Sequence, residues 1–366
     1  MATTLAAIGT AKGLFLARSD DDRRSWSLTG PHFGMSEVYS AAIDTRGGRT
    51  RILAGAMSWH WGPMVVRSDD LGATWVDTER GAVRFPEGTD AAVARVWQLA
   101  PAPADQPGVV YAGVEPSALF RSTDGGETFS LVEGLWNHPH RKEWQPGGGG
   151  QALHTVLPHP TDPARVLVAM STGGVYRTGD GGESWSPANR GILADFLPGE
   201  EPEYGQCVHK VARNPQRPEQ LFAQNHGGVY RSDDGGDRWV SIVDGLPADF
   251  GFPMVADPNA PGSVFVFPIV SGEERFPPER KCRVYRTDDA GATWSALTNG
   301  LPSDPHYGAV LRDGMCADDA DPVGVYFGNR NGEVYATADR GESWQQIAAH
   351  LPPVLCVKAA VLPEPA

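Results

Sequence analysis

One short motif recurs along the chain, and this repeat constrains the fold more than any other feature of the sequence. It reads Ser/Thr-x-Asp-x-Gly-x-x-Trp/Phe, and its full copies begin at Ser68, Ser122, Thr178, Ser232, Thr287 and Thr337. A degraded copy begins at Ser19 and carries Arg23 where the others have glycine. The aspartates of the seven copies, spaced 49–56 residues apart, are Asp21, Asp70, Asp124, Asp180, Asp234, Asp289 and Asp339. Repetition at this period is typical of propellers and solenoids.

The chemistry of the motif is that of a tight turn. A Ser or Thr hydroxyl and an Asp carboxylate can both accept hydrogen bonds from nearby backbone N–H groups. The glycine supplies a positive φ that a side chain resists, and the aromatic residue begins the next strand. A catalytic site is usually built once, so seven copies favour a structural role. We therefore expect structural aspartates at Asp70, Asp124, Asp180, Asp234, Asp289 and Asp339.

Each repeat reads as four short β-strands separated by Pro, Gly and Asp clusters. In the fourth repeat these are 152–160, 165–171, 174–180 and 183–188. The sequence therefore predicts an all-β chain in which residues 1–366 form one domain, a seven-bladed β-propeller with four-stranded antiparallel blades. The first residues supply only three strands of a blade, and 353–363 supply one more. We expect the C-terminal strand to complete the N-terminal blade and so close the ring.

The motif resembles the Asp-box, or bacterial neuraminidase repeat, of sialidases and other glycosyl-hydrolase-like propellers. Similar repeats occur in xyloglucan-active hydrolases, sortilin-type receptors and photosystem assembly factors, so the resemblance implies a fold and leaves the function open. In such propellers the Asp-box lies on the face opposite the usual binding site. The Arg-Ile-Pro motif of sialidases is absent, and seven blades differ from the six expected of a sialidase. Exo-sialidase activity is therefore not expected.

Composition narrows the class of partner. The formal net charge is −14 and the basic residues are dispersed, which argues against a nucleic-acid partner. No apolar run is long enough to span a membrane, and the first residues lack a signal-peptide pattern. The four cysteines (Cys207, Cys282, Cys316 and Cys356) are scattered, as reduced thiols of a cytoplasmic protein would be. We expect a cytoplasmic location.

Histidines and the tryptophans outside the repeated turns fall mostly in loops predicted to surround one mouth of the central channel. We expect a small molecule or a glycan to bind there. Gly147 to Gly150 lack the Lys-Ser/Thr of a phosphate loop and indicate a hinge or a close backbone approach. Aligned on the repeat, His154 and His209 share one inner-strand position with Tyr39, Trp97, Pro253, Gly308 and Val357. The candidate ligand-binding residues are Trp59, His60, Trp97, His138, His140, Arg141, Trp144, His154, Tyr204, Asn225, His226 and Tyr307.

Two chemistries fit these residues, and whether the chain is an enzyme stays open. In one, His154, His209 and His226 bind a divalent transition metal that activates water. In the other, carboxylates carry out glycoside hydrolysis while aromatic rings stack on sugars. The candidate catalytic residues are Glu143, Glu203 and His209. The alternative is a non-catalytic platform that binds or assembles a protein partner.

Overall fold

The computed structural model describes residues 2–58, 62–76, 83–194, 196–197 and 201–363. Almost all regular structure in these ranges is β-strand. The exceptions are the helix Glu133–Trp136 (α1) and three 3-10 helices, at Arg46–Gly48, Pro139–Glu143 and Pro278–Arg280. Within the described ranges, no helix has the length and apolar character needed to cross a membrane.

Strands that follow one another in the chain pair antiparallel into sheets. The first half of the chain contains β1 (Thr4–Thr10), β2 (Gly13–Ser19), β3 (Ser27–His32), β4 (Glu37–Asp44), β5 (Arg51–Ser58), β6 (Gly62–Ser68), β7 (Arg95–Pro101), β8 (Val110–Glu115), β9 (Ala118–Ser122), β10 (Ser130–Leu131), β11 (Leu153–Pro158), β12 (Val166–Met170), β13 (Gly174–Thr178) and β14 (Ser186–Pro187). The second half contains β15 (Val208–Asn214), β16 (Arg217–Asn225), β17 (Val229–Ser232), β18 (Val240–Ser241), β19 (Gly251–Ala256), β20 (Val264–Pro268), β21 (Val284–Thr287), β22 (Ser295–Leu297), β23 (Val310–Ala317), β24 (Val325–Asn329), β25 (Val334–Thr337), β26 (Gln345–Ala348) and β27 (Val354–Val361).

Four of the sheets have four strands each: β7 to β10, β11 to β14, β15 to β18 and β19 to β22. Strands β4, β5 and β6 form a three-stranded sheet, to which Val76 adds one bridge opposite Arg67. The eight remaining strands form one sheet in the order β26-β25-β24-β23-β27-β1-β2-β3. Its two halves are joined by a single parallel bridge between Asp313 and Cys356.

The two ends of the chain meet in that sheet. Strand β27 pairs antiparallel with β1, from Thr4 opposite Val361 to Thr10 opposite Val354. The expected pairing of the C-terminal strand with the N-terminal strands is therefore present. Because the pairing joins opposite ends of the chain, it holds the first and last sheets together.

The first strands of successive sheets contact one another in a closed cycle: β4, β7, β11, β15, β19, β23, β27 and back to β4. The apolar core lies between neighbouring sheets. Phe267 of β20 and Phe327 of β24, for example, pack with their ring centroids 5.5 Å apart. Burial of such side chains is the main stabilising contribution in a fold without long helices.

The repeated motif forms a hydrogen-bonded turn between the third and fourth strands. In the copy at Thr287, the Thr287 hydroxyl donates to Asp289 Oδ1 at 2.7 Å and accepts from the Gly291 N–H at 2.8 Å. The backbone N–H of Thr293 also donates to Asp289 Oδ1, at 2.8 Å. The degraded copy keeps this turn, since the Arg23 N–H donates to Ser19 Oγ at 2.9 Å with Arg23 at φ +68°. The residue types in this motif are those that a tight turn requires.

The aromatic residue of the motif ties neighbouring sheets together. Trp239 Nε1 donates to the Ala188 carbonyl at 2.8 Å, and Trp294 Nε1 donates to the Ile242 carbonyl at 2.9 Å. Each acceptor lies in the preceding repeat, so one indole both fills the core and satisfies its N–H across the sheet boundary.

Candidate functional site

A β-bulge interrupts the first strand of each sheet at a similar position. Four of these bulges insert a single residue: Tyr39, Trp97, His154 or His209. A bulge leaves its extra residue out of the ladder and turns the side chain in a new direction. The alignment of the repeats predicts that these four positions are equivalent.

The bulges in the remaining first strands depart from that alignment. Strand β19 skips Phe252 and Pro253, β23 skips the longer segment 311–314, and β27 skips Leu355. The expected equivalents Gly308 and Val357 are therefore wrong. Gly308 precedes β23, whose skipped segment is four residues long, and Val357 lies two residues beyond the Leu355 that β27 skips.

Bulge residues line a cavity of about 850 Å³. They are Tyr39, Trp97, His209, Phe252, Leu311, Arg312, Asp313 and Leu355. Loops add Phe250, Arg275, Tyr307 and the segment 147–150 to the wall. The cavity therefore combines aromatic faces with charged groups, as small-molecule sites generally do.

Three arginines in the cavity wall have no carboxylate partner among the described residues: Arg275, Arg312 and Arg330. The guanidinium of Arg312 lies 5.2 Å from the ring of Phe252 and 6.0 Å from that of Trp97. Its Nε is buried without a hydrogen-bond partner, and burial lowers the pKa of Arg312. An arginine stays protonated despite such a shift, so the cavity holds an uncompensated positive charge.

The carboxylates in the wall differ in their partners. Glu115 Oε2 accepts from Arg95 Nη1 at 3.0 Å and from Trp97 Nε1 at 2.9 Å, so its charge is already paired. The side chain of Glu143 lies at the rim, and it accepts no hydrogen bond within the described ranges. Among the described carboxylates of the cavity, Glu143 alone is exposed and unpaired.

The third carboxylate, Asp313, is buried between two lysines. Its Oδ1 accepts from Lys210 Nζ at 2.9 Å and from Lys358 Nζ at 2.8 Å, while Lys210 also donates to Gln98 Oε1 at 3.1 Å. Burial alone would raise the pKa of Asp313, but Lys210 and Lys358 hold it below its usual value. The carboxylate is therefore ionised at neutral pH, and its charge is more than balanced by the two lysines.

A glycine hairpin forms one edge of the cavity. Gly147 and Gly150 exchange backbone hydrogen bonds of 3.2 and 3.0 Å. Gly150 has φ +98°, and a Cβ there would collide with the carboxylate of Glu115. At the tip, Gly148 and Gly149 lie beside Arg275 and Arg312. Of the two expectations for this segment, the close backbone approach describes the geometry.

His209 lines the cavity in a defined tautomer. Its Nδ1 lies 2.6 Å from the Gly251 carbonyl, so Nδ1 carries the proton and donates it. Nε2 then faces Cys207 Sγ at 3.7 Å. Burial lowers the pKa of His209 well below its usual value, which keeps the imidazole neutral.

Of the residues expected from the sequence to bind ligand or catalyse, five line the cavity: Trp97, Glu143, His209, His226 and Tyr307. Trp59 and His60 lie outside the described residues. Cys207, Arg275 and Arg312 also line it but were missed. The only sequence signal for Arg312 was its place on an inner strand, which does not show that its guanidinium would be unpaired.

A second group of expected residues forms an aromatic cluster outside the cavity. Tyr176 Oη accepts from Trp144 Nε1 at 3.0 Å and contacts His140 Nδ1 at 3.0 Å. His138 packs its ring edge to face with Tyr176, and Tyr204 packs against His140 with 4.4 Å between ring centroids. These residues form the small core of a long loop.

Three further candidates are placed elsewhere by their contacts. Glu203 is a mostly exposed residue, 3.7 Å from His140 Nε2. The Arg141 guanidinium stacks 3.9 Å from the centroid of Trp136. Asn225 is buried and its Nδ2 donates to the Leu193 carbonyl at 3.0 Å. Neither Glu203, Arg141 nor Asn225 lines the cavity.

The contacts of His154 exclude it from the predicted metal site. It is fully buried, with Nε2 3.0 Å from the Val208 carbonyl and Nδ1 3.2 Å from Thr155 Oγ1. With both ring nitrogens engaged, it has no lone pair to offer a ligand in the cavity. Instead, Cys207 lies with His209 and His226, and the three ligand atoms are all within 4.8 Å of one another.

No family model matches the chain. Among curated proteins, it is similar to a xyloglucanase of Paenibacillus sp., 26% identical over 208 residues that cover 51% of this chain and 18% of the relative. It is also similar to xyloglucanase Xgh74A of Acetivibrio thermocellus, 26% identical over 277 residues that cover 66% of this chain and 31% of the relative. The chain thus spans less than a third of the length of these relatives.

Solved structures share the fold. An ancestral GH74 enzyme superposes with a TM-score of 0.57 at 17% identity, covering 82% of this chain and 36% of that one. The GH74 enzyme of Niastella koreensis gives 0.54 at 15% identity, covering 94% and 47%. YCF48 bound to D1 peptide gives 0.52 at 15% identity, covering 85% and 82%. The fold is that of a β-propeller. Since no family model matches, the Asp-box family itself stays a prediction from the repeated motif.

Proposed function

We propose that the chain is a seven-bladed β-propeller whose cavity binds an anionic, ring-shaped small molecule, such as a sugar acid or a sugar phosphate. The closed cycle of contacts among the seven first strands and the pairing of β27 with β1 support the blade number. The cavity then lies at one mouth of the central channel, where the bulges of the inner strands meet.

The observation that carries the ligand proposal is the unpaired positive charge of Arg312. An arginine without a partner costs desolvation energy and contributes no ion pair to folding. Arg275 and Arg330 add two further guanidiniums without carboxylate partners among the described residues. In a chain of net charge −14, such a concentration of positive charge in a cavity favours an incoming anion.

The aromatic wall supports a ring-shaped ligand. Tyr39 and Trp97 pack with 4.8 Å between centroids, and both face the cavity with Phe252 and the half-exposed Tyr307. Flat aromatic faces bury the apolar face of a sugar ring, while a guanidinium binds its carboxylate or phosphate. The xyloglucanase relatives make a carbohydrate the first class to test.

Sugars that differ in charge test this proposal. We expect glucuronate and glucose 6-phosphate to raise the melting temperature of the protein, whereas glucose at the same concentration does not. Arg312→Met should abolish the shift while removing no ion pair from the free protein, because Arg312 has no carboxylate partner among the described residues. Arg238→Met, an exposed arginine outside the cavity, is the matched control. An equal rise in melting temperature with glucose, or with neutral xyloglucan oligosaccharides, would contradict the proposed preference for an anion.

Glycoside hydrolysis is a second candidate, favoured by the xyloglucanase relatives and by the unpaired Glu143. A glycosidase needs two carboxylates in distinct protonation states. Glu115 is paired with Arg95, and Asp313 is held ionised by two lysines, so Glu143 is the remaining candidate acid. If the protein hydrolyses a glycoside, Glu143→Gln should abolish the release of reducing ends and leave ligand binding intact. Protein binding and a cytoplasmic location stay predictions from the sequence.

A further inference from the structure

Besides the arginines, three side chains that can bind a metal line the wall of the cavity. We propose that Cys207, His209 and His226 form a site for a divalent transition metal of the zinc type, open to the cavity. Each residue offers one ligand atom, and all three atoms lie within 4.8 Å of one another. Thiolate and imidazole together suit zinc and its chemical neighbours better than they suit magnesium or calcium. The proposal does not rest on the ligand proposed above.

The separation of two of these atoms already fits a metal. Cys207 Sγ lies 3.7 Å from His209 Nε2. Zn–S and Zn–N bonds of about 2.3 and 2.0 Å, meeting at a tetrahedral angle, place sulfur and nitrogen about 3.5 Å apart. The pair therefore needs almost no movement, and the His226 nitrogen, within 4.8 Å of both atoms, is the ligand that must move closer.

The surroundings of His209 orient it as a metal ligand. Its Nδ1–H donates to the Gly251 carbonyl at 2.6 Å, which leaves Nε2 as the lone pair that faces Cys207. Ligating histidines commonly donate their second nitrogen in this way, which fixes both tautomer and ring direction. The bulge at His209 and the ring of Phe252, 4.8 Å from the imidazole centroid, limit its rotation.

His226 is held beside the pair by its own backbone. Its N–H donates to the Cys207 carbonyl at 2.9 Å, so the loop after β16 is fixed against the residue that carries the thiol. The His226 ring packs 4.9 Å from the centroids of both Phe196 and Phe250. Both rings also line the cavity, so the His226 imidazole lies among aromatic groups at the cavity wall.

The three side chains all line the cavity, so a fourth coordination position faces its interior. Three protein ligands with one open position is the arrangement of catalytic zinc sites, whereas structural sites use four. Arg312 lines the same wall, and its positive charge favours water-derived hydroxide or another anion as the fourth ligand. The site would therefore polarise or position an anion that enters from the cavity.

Cobalt substitution tests the site directly. Protein prepared without a histidine tag and stripped with chelator is titrated with Co²⁺ while the near-ultraviolet thiolate-to-cobalt absorption band is recorded. We expect saturation near one equivalent, displacement by Zn²⁺, and loss of the band in Cys207→Ala. Cys282→Ala, a second buried cysteine outside the cluster, should keep the band. His226→Asn, read in the same titration, should weaken Co²⁺ binding roughly tenfold or more.

Two results would overturn the proposal: no thiolate band with wild-type protein, or a band that persists in Cys207→Ala. The wild-type titration needs no variant to fold, and the far-ultraviolet spectrum of each variant reports its folding. The anion preference is measured on metal-free protein, so failure of the metal site leaves the proposed ligand untouched. Conversely, absence of sugar-acid binding would not alter the cobalt result.

Discussion

At the scale of single residues, some side chains of the cavity lower the stability of the fold, and binding of a ligand would explain why they are kept. Arg312 is an arginine without a carboxylate partner among the described residues, and its Nε is buried without a hydrogen bond. Natural proteins keep such costly groups mainly where they act on a ligand. Position 150 requires a glycine, because a positive φ and the adjacent Glu115 leave no room for a side chain.

Gly150 provides a prediction at this scale. Gly150→Ala must strain a backbone at φ +98° and displace the Glu115 carboxylate, so we expect a loss of about 1–3 kcal/mol in the free energy of unfolding. Ligand affinity should fall as well, since Glu115 positions Arg95 and Trp97. Gly148→Ala in the same hairpin is the control, because its Cβ would make only ordinary contact, 3.7 Å from Arg275. Urea unfolding measures both variants, and equal stabilities would refute the argument.

At the scale of elements, the repeated turn was predictable because its chemistry is local. Ser, Asp and Gly at fixed offsets specify hydrogen bonds and φ values within one loop, and the structure has them there. The single-residue bulges at Trp97 and His209 could also be aligned, because they lie at similar distances, 27 and 25 residues, before the next motif aspartate. The long bulge of β23 could not, since extra residues within a strand leave no sequence mark.

The turns also predict how stability depends on pH. The hydroxyl and backbone N–H of Thr293, with the Thr287 hydroxyl, lower the pKa of Asp289 from 3.8 to about 2. A carboxylate with a lowered pKa in the folded state stabilises fully above its ordinary pKa, and this stabilisation is lost as the pH falls through the folded value. We expect Asp289→Asn to be less stable than wild type at pH 6.

That stability gap should narrow towards pH 3 and below, because the carboxylate is protonated first in the unfolded state, near its ordinary pKa of 3.8, and in the folded state only near pH 2. Urea midpoints at pH 6 and pH 3 measure it. Asp105→Asn, an exposed acid outside the repeated turns, should show no comparable change. A gap that stays constant with pH would mean that the turn does not depend on the charge of Asp289.

At the scale of the whole molecule, side chains from three sheets meet at the cavity wall, which Asp313 lines. Asp313 of β23 joins Lys210 of β15 and Lys358 of β27, and Lys210 reaches Gln98 of β7. This network connects strands that are far apart in the chain and lies on the inner side of the ring. Neither the network nor the grouping of Cys207 with His209 and His226 could be read from the sequence. Each contains one bulge residue, Asp313 or His209, whose side-chain direction does not follow from the alternation of a regular strand.

Removing the charge of Asp313 should therefore destabilise the whole fold. Asp313→Asn leaves two lysines without their shared counter-ion, and we expect the free energy of unfolding to fall by about 3–5 kcal/mol. Asp319→Asn, an exposed acid nearby in the chain, should change it by less than about 0.5 kcal/mol. Thermal and urea unfolding provide the comparison. If Asp313→Asn lowered the free energy of unfolding no more than Asp319→Asn does, the network would not stabilise the fold.

The central claim is that the cavity selects an anion through Arg312. The most direct measurement is calorimetric titration of metal-free wild type and Arg312→Met with glucuronate and with glucose. We predict that wild type binds the acid at least about tenfold more tightly than the neutral sugar, and that Arg312→Met loses this preference, as expected for a charge-assisted hydrogen bond of about 1.5–3 kcal/mol. Equal affinities in wild type, or a preference that survives in the variant, would contradict the account.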